Sequence, residues 1–69
     1  MPEEMKFFIF LLACYAEDHS RDAADVLREW DEHGITREIY DSYFIYHQEA
    51  LSNAYSDIAS LIATGKHAY

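Results

Sequence analysis

Cysteine, glycine, proline and basic residues are all scarce in this sequence. Its 69 residues include one cysteine, two glycines and one proline. The single cysteine, Cys14, excludes an intramolecular disulfide and a cysteine-based metal framework, and it fits a reducing, cytoplasmic environment. No Asn-Gly or Asp-Gly turn and no alternating strand pattern occurs, which predicts an all-α fold.

Basic side chains are too few for ordinary nucleic-acid binding. Five Lys and Arg residues oppose 13 Asp and Glu residues, a formal net charge of −8, and such a surface repels a phosphate backbone. If the second and third predicted segments formed a helix-turn-helix, the recognition helix would offer DNA Arg37 and little other positive charge. The charge suits a basic protein partner, or it serves only to keep a small protein in solution.

The chain also lacks a hydrophobic run of membrane-spanning length. The run Phe7–Ala16 rises only about 15 Å as a helix, half the thickness of a bilayer's hydrocarbon core. Glu3 and Glu4 precede it where a signal peptide carries positive charge, and no small-residue cleavage site follows. We therefore expect a buried helix in this region and no membrane partner.

Caps and stops divide residues 1–69 into four helical segments, which predicts a single domain folded as a small bundle. The first segment runs to about Glu17 and is apolar nearly all round, so we expect it at the bundle centre or at a dimer interface. Ser20 is the expected N-cap of the second segment, and Gly34 is its expected end. Thr36 is the expected N-cap of the third segment.

The fourth segment continues the apolar phase of the third, so the apolar period does not mark the boundary between them. A break is expected near Ala50–Asn53, with Ser52 or Asn53 as the new cap. An unbroken helix would be about 42 Å long, too long for a lone bundle of this size, and would indicate dimerisation. The apolar stripe of the segment comprises Ala54, Ile58, Leu61 and Ile62.

His47 lies near the middle of the apolar arc of the third segment on a regular helical wheel. This position predicts a buried imidazole, which needs a hydrogen-bond partner such as Tyr40, Tyr43, Asp57 or a backbone carbonyl. The alternative is a small-ligand or enzyme site around His47 and Tyr43, with the imidazole as general base or ligand contact.

No sequence pattern indicates catalysis, a metal or a cofactor. The four histidines are widely spaced, and neither a glycine-rich phosphate loop nor a nucleophile motif is present. A thiolate–imidazole pair of Cys14 with His47 is conceivable, but core packing is the simpler role for Cys14. We therefore expect no catalytic residue, no metal ligand, no cofactor and no enzymatic activity.

Tyrosine is abundant, with six in the chain. Rigid amphipathic aromatic side chains are favoured at protein interfaces. The aromatic residues that we expect at an interface are Tyr46, Tyr55 and Trp30.

The order of several features is similar to that of a known family. The hydrophobic first segment, the aromatic residue before a glycine, the tyrosine-bearing third segment and the acidic-aliphatic pair of the last segment all keep their spacing. The matching residues are Phe8, Tyr15, Leu27, Trp30, Gly34, Ile35, Ile39, Tyr43, His47, Asp57 and Ile58. Over roughly Met5 to Ile62 the chain thereby resembles domain-of-unknown-function family 3791, a family of small uncharacterised bacterial proteins.

The chain also departs from the pattern of that family. Phe44 stands where Asp is usual, Tyr46 where Leu is, Gln48 where Thr is, and Ala50 where Gly is. The family's His-Thr-Gln-Gly-like element is therefore reduced to His47. The resemblance implies an all-helical stand-alone module with no established activity, and the gene neighbourhood of some relatives implies partnership with a toxin-like enzyme.

Two functional hypotheses follow from these features besides the ligand site around His47. The first is an acidic, non-enzymatic protein–protein interaction module, which could be the antitoxin of a toxin-like enzyme. The second is a structural homodimer that joins through the first segment or through an unbroken third helix.

Overall fold

The computed structural model describes residues 1–69, and they form a small all-α bundle. Its helices are α1 (Glu3–Asp18), α2 (Ala23–Glu32), α3 (Thr36–Asp41), α4 (Tyr43–Tyr46) and α5 (Leu51–Thr64). The radius of gyration of 11.0 Å is that expected of a compact chain of this length. The predicted fold class is therefore correct, although the predicted third segment is two short helices.

Helix α1 is the central element because it contacts α2, α3 and α4. One of its sides carries Leu11, Tyr15 and Ala16 into the core, where eleven buried apolar residues form one cluster. Its other side leaves Ile9 and Phe10 in solvent. The apolar run Phe7–Ala16 is thus buried on one side only. None of the helices is both long and apolar enough to cross a membrane.

Ser20 ends α1 and does not cap α2, which corrects the sequence prediction. Its φ of 54° is left-handed, its N–H donates to the Glu17 carbonyl at 3.1 Å, and the next N–H, of Arg21, donates to the Ala16 carbonyl at 2.8 Å. These two bonds are those of a Schellman motif, in which the residue just past the helix is left-handed. Asp22 caps α2 instead, accepting from the Ala24 N–H at 2.9 Å.

Gly34 ends α2 as the sequence predicted. Its φ is 67°, and the Ile35 N–H donates to the Trp30 carbonyl at 3.0 Å, as in the same motif. Ile35 is buried immediately afterwards. Thr36 does not cap α3, because its hydroxyl donates to the Asp31 carboxylate instead.

Ser42 interrupts the predicted third segment. Its hydroxyl donates to the Glu38 carbonyl at 2.7 Å, a type of bond that bends helices. Downstream, Ile45 N–H donates to the Ser42 carbonyl at 3.1 Å and Gln48 N–H donates to the Ile45 carbonyl at 3.3 Å. The N–H groups of Tyr46 and His47 still donate four residues back, to the Ser42 and Tyr43 carbonyls at 2.9 and 3.0 Å, so α4 keeps the helical period and only its ends are tightened.

The chain breaks again between α4 and α5, where an interruption was predicted near Ala50–Asn53. Ala50 is extended, with ψ of 145°, and α5 begins at the next residue without a side-chain cap. Ser52 and Asn53 therefore lie inside the first turn of α5, so neither is the N-cap. Because no continuous helix spans the two segments, the unbroken-helix interface proposed for a homodimer does not exist. The predicted stripe of α5 is correct in that Ala54, Ile58 and Leu61 are buried.

Candidate functional site

A buried carboxylate, Asp57, lies at the centre of a polar cluster at one end of the bundle. Asp57 is 3 % exposed, and Tyr46 of α4 donates its phenolic hydrogen to one carboxylate oxygen. That oxygen is also 2.7 Å from Nδ1 of His67 in the C-terminal tail. The other oxygen accepts from the Ala68 N–H at 2.5 Å. We call Tyr46, Asp57, His67 and the Ala68 N–H the Asp57 cluster.

His67 extends the Asp57 cluster to α3. Its Nε2 lies 3.0 Å from a carboxylate oxygen of Glu38, and its ring stacks on Tyr69 with 4.6 Å between centroids. The Tyr69 hydroxyl lies 3.5 Å from Oγ of the buried Ser42. The cluster therefore ties α3, α4, α5 and the tail together by side-chain bonds.

The cluster shifts the pKa values of its members in opposite directions. Burial acts to raise the pKa of Asp57, but the hydrogen bonds from Tyr46, His67 and Ala68 outweigh it and leave the pKa below its usual value. The hydrogen bond to Asp57, helped by Glu38, raises the pKa of His67. Burial, and then the hydrogen bond to Asp57, raises the pKa of Tyr46 far above its usual value.

This arrangement favours a structural role over a chemical one. A protonated His67 donates both N–H groups to carboxylates, so its ring keeps no lone pair with which to accept a proton. Tyr46 keeps its proton because its phenol is buried against a carboxylate, which makes it a poor nucleophile. The depression beside the cluster is lined by nine residues, three of which are the large apolar or aromatic residues Ile35, Leu61 and Tyr69.

Stability is expected to pass through a maximum between about pH 4 and pH 6.5 because of this cluster. Asp57 has a lowered folded pKa, so its contribution is present above the usual pKa of about 4 for an aspartate and is lost as the pH falls through the folded value. His67 has a raised folded pKa, so its contribution is present below about 6.5 and is lost as the pH rises through the folded value. The midpoint of thermal unfolding, measured across this range, checks the expectation.

The matched pair His67→Gln and His33→Gln isolates the histidine part of that profile. His33 is exposed and bonds only to the Glu29 carbonyl, at 3.1 Å. We expect His67→Gln to remove most of the decline above pH 6.5 and His33→Gln to preserve it. If the stability of the His67→Gln variant still declined above pH 6.5 as in the wild type, the contacts of His67 with Asp57 and Glu38 would not be the cause of that decline.

His47 is exposed, so the prediction that it is a buried core residue is wrong. Counted from Ile39 at about 100° per residue, the buried Ser42 and Tyr46 lie at about 300° and 340° and His47 lies at about 80°. The core therefore covers one edge of the predicted apolar arc and leaves its middle exposed. His47 donates from Nδ1 to the Tyr43 carbonyl, one helical turn earlier, at 2.5 Å. It bonds to neither Tyr40 nor Asp57, and it makes no hydrogen bond with Cys14.

His47 is instead the hub of an aromatic surface formed by α1 and α4. Its ring stacks on Tyr43 at 4.2 Å between centroids and 2° between planes, and it lies 5.9 Å from the ring of Phe44 and 6.4 Å from that of Phe7. Phe7 also contacts Tyr43 at 5.8 Å and Phe10 at 6.4 Å. We call Phe7, Phe10, Tyr43, Phe44 and His47 the aromatic surface.

Two members of the aromatic surface are largely in solvent. Phe44 is 75 % exposed and Phe10 is 53 % exposed, whereas Phe7 and Tyr43 are half-buried beneath them. Single exposed apolar side chains are common on proteins, but a contiguous exposed group marks an interaction site. The combination of α1 and α4 therefore leaves an apolar face without a partner in the chain.

Two of the three aromatic residues predicted at an interface are inside the molecule. Trp30 is 0 % exposed and Tyr46 is 2 % exposed, because Trp30 belongs to the apolar stripe of α2 and Tyr46 lies on the same side as the buried Ile39. Tyr55 is half-buried, and its hydroxyl donates to Asp18 at 2.7 Å. Tyr40 is also half-buried and has Arg37 above its ring at 5.8 Å.

The structure contains no pocket at the predicted ligand site. Three surface depressions are present, and neither His47 nor Tyr43 lines any of them. No three His, Cys, Asp or Glu side chains are grouped as ligands for a metal ion. Asp57 was predicted as a buried polar residue and is one, but its histidine partner is His67.

Sequence reasoning missed His67, Ser42 and Phe10. His67 was assigned to a polar tail, since no periodicity links a tail residue to a carboxylate ten positions earlier. Phe10 belongs to a run in which nothing marks the exposed side. The signal that was available is Phe44, an apolar residue standing where the resembled family has an acidic one.

The chain is similar to a known protein family. A family model described as protein of unknown function (DUF3791) matches residues 6–64 of the 69-residue chain. That span includes α1 from its second turn, all of α2, α3 and α4, and α5 to its last residue. No curated protein and no solved structure matches the chain.

Proposed function

The chain belongs to the DUF3791 family, whose description assigns no activity, and on structural grounds we propose that it is a non-enzymatic protein–protein interaction module. The partner protein docks on the aromatic surface. The observation that carries the proposal is the exposure of Phe10 and Phe44 beside the stacked pair Tyr43 and His47. Aromatic anchors at the centre of an interface supply most of its binding energy.

The rigidity of the aromatic surface supports this role. Phe7 and Tyr43 rest on the bundle, and the Nδ1 bond to the Tyr43 carbonyl fixes the ring of His47. A surface already held in place loses little conformational freedom when a partner binds. Phe7, Tyr43 and His47 therefore form a fixed base for the exposed rings of Phe10 and Phe44.

The state of the titratable groups supports a non-enzymatic role. The one buried carboxylate, Asp57, is fully engaged by Tyr46, His67 and Ala68. The exposed imidazole, His47, has no nucleophile hydrogen-bonded to it and lines no pocket that could hold a substrate. The single free cysteine, Cys14, is compatible with work in the cytoplasm.

A toxin-like enzyme is one class of protein that such a surface could restrain. The basis for this class is the resemblance alone, and the aromatic surface is equally suited to other proteins. The identity of the protein that binds the aromatic surface decides between a toxin-like enzyme and another class of partner.

Photo-crosslinking in the native host tests the proposal. A photoreactive phenylalanine analogue replaces Phe44 in one variant and Ala63, an exposed residue of α5, in the control. We expect a covalent adduct with a different protein from position 44 and none from position 63. Adding Phe10→Ser to the position 44 variant should weaken the adduct about 30-fold, the effect of a central aromatic anchor.

Three results would contradict the proposal. They are equal adducts from positions 44 and 63, no adduct from position 44, and an adduct that Phe10→Ser leaves unchanged. An adduct between two copies of this chain would favour the homodimer instead.

A further inference from the structure

The aromatic surface also indicates the chemistry of its partner, an inference that rests on the proposed function. We infer that the partner presents an amphipathic helix whose apolar stripe is flanked by Lys or Arg side chains. Three features of the surface support this: the hydrogen-bonding capacity of His47, the charges at its rim and the straight face of α1.

His47 leaves a free acceptor at the centre of the surface. Since Nδ1 donates to the Tyr43 carbonyl, the neutral ring carries a lone pair on Nε2, and Nε2 has no hydrogen-bond partner in the chain. A partner donor is needed to satisfy that atom once the surface is covered. The exposed ring of Phe44, 5.9 Å from that of His47, attracts cations as well, so a Lys or Arg side chain fits this position.

The rim of the surface is acidic. A stable interface covers about 800 Å² on each partner, far more than five side chains supply, so the neighbouring exposed residues must be included. Glu3 and Glu4 lie one turn before Phe7 on α1, and Glu49 follows His47 by two residues. Lys6, the only cation on α1, pairs with Glu3 at 3.5 Å, so Glu4 and Glu49 are the unpaired charges of this rim.

The whole molecule reinforces this local charge. Four of its five Lys and Arg residues are paired with carboxylates within the chain. Lys66 is therefore the one cation free to meet an acidic partner, in a chain whose net charge is −8. Two copies would bring like charges together, whereas a basic partner is attracted and oriented by them. The charge thus favours a basic partner over a second copy of the chain.

The exposed face of α1 suits a helix. Lys6, Phe10, Ala13 and Glu17 are exposed at helical spacing, a straight row about 16 Å long. Side chains of a second helix pack into the grooves of such a row. Helices that bind apolar grooves carry their anchors at i, i+3, i+4 and i+7.

A display library of helical peptides tests the inference. Its members are about four turns, or roughly 15 residues, long, with fixed apolar anchors and random flanking positions. The baits are the wild-type protein, a Phe10→Ser/Phe44→Ser variant and an Ala59→Ser/Ala63→Ser control on the exposed side of α5. Circular dichroism of all three baits verifies that they are folded.

We expect the wild-type and control baits to recover peptides with net positive flanks, and the aromatic variant to lose them by at least about 30-fold. Binding of a recovered peptide should weaken by about tenfold when salt screens the charges. Recovery of neutral or acidic peptides, of none, or of peptides that the aromatic variant binds equally well would overturn the inference. A crosslinked partner with no basic helix would overturn it too while leaving the proposed function intact.

Discussion

Trp30→Ala is expected to leave the protein largely unfolded at room temperature. Trp30 is completely buried and meets Phe8 and Tyr15 edge to face, with centroids 5.9 and 5.4 Å apart. Truncating a buried tryptophan costs about 3–5 kcal/mol, and a core of this size supplies only about 3–5 kcal/mol in total. Urea unfolding followed by far-ultraviolet circular dichroism measures the loss without requiring the tryptophan signal.

Trp30→Phe is the matched control for that substitution. The ring stays against Phe8 and Tyr15, and the variant removes Nε1–H, the one buried side-chain polar atom with no partner in the chain. Leaving such a group unpaired costs about 1–3 kcal/mol, and its removal offsets part of the lost packing. We expect Trp30→Phe to lower the free energy of unfolding by less than about 1.5 kcal/mol. A Trp30→Phe variant as unstable as Trp30→Ala would contradict the expectation that ring packing, and not the indole N–H, stabilises the core at this position.

Asp57→Ala is expected to cost about 1–3 kcal/mol, the range for leaving a buried polar group such as the Tyr46 hydroxyl without its partner. The substitution leaves the Tyr46 hydroxyl, the Ala68 N–H and the His67 Nδ1–H without their acceptor. It should also release the tail from α5. Urea unfolding gives the energy, and amide hydrogen exchange at Ala68 reports the tail separately.

Asp41→Ala supplies the control for Asp57→Ala. Asp41 is an exposed carboxylate paired with Arg37 at 3.0 Å, and exposed pairs contribute less than about 1 kcal/mol. We expect it to leave the exchange rate at Ala68 unchanged. Equal losses in the two variants would contradict the central structural role assigned to Asp57.

The helices and most of the core could be predicted from the sequence because local signals determine them. Gly34 ends α2 since a glycine accepts the left-handed conformation there. The stripe of Ala54, Ile58 and Leu61 is buried because nothing disturbs the period of α5. Ser20 shows the limit of such signals, since one serine can begin a helix or end one.

The candidate sites could not be predicted in the same way. The apolar arc of the third segment runs from Tyr46 to Phe44, but only its edge at Ile39 and Tyr46 is buried, so His47 near its middle is exposed. The bond between Asp57 and His67 depends on the path of the tail, which has no periodicity. The side of α1 that stays exposed is determined by where α2, α3 and α4 pack, and the apolar pattern of α1 carries no information about that packing.

The most direct measurement of the central claim is the adduct formed from position 44 in the native host, with and without Phe10→Ser. The aromatic surface, as described, predicts an adduct with another protein that falls about 30-fold when Phe10 is replaced, and no adduct from position 63. An adduct that survives the loss of Phe10, or that forms equally from position 63, would contradict the assignment of this surface as the docking site.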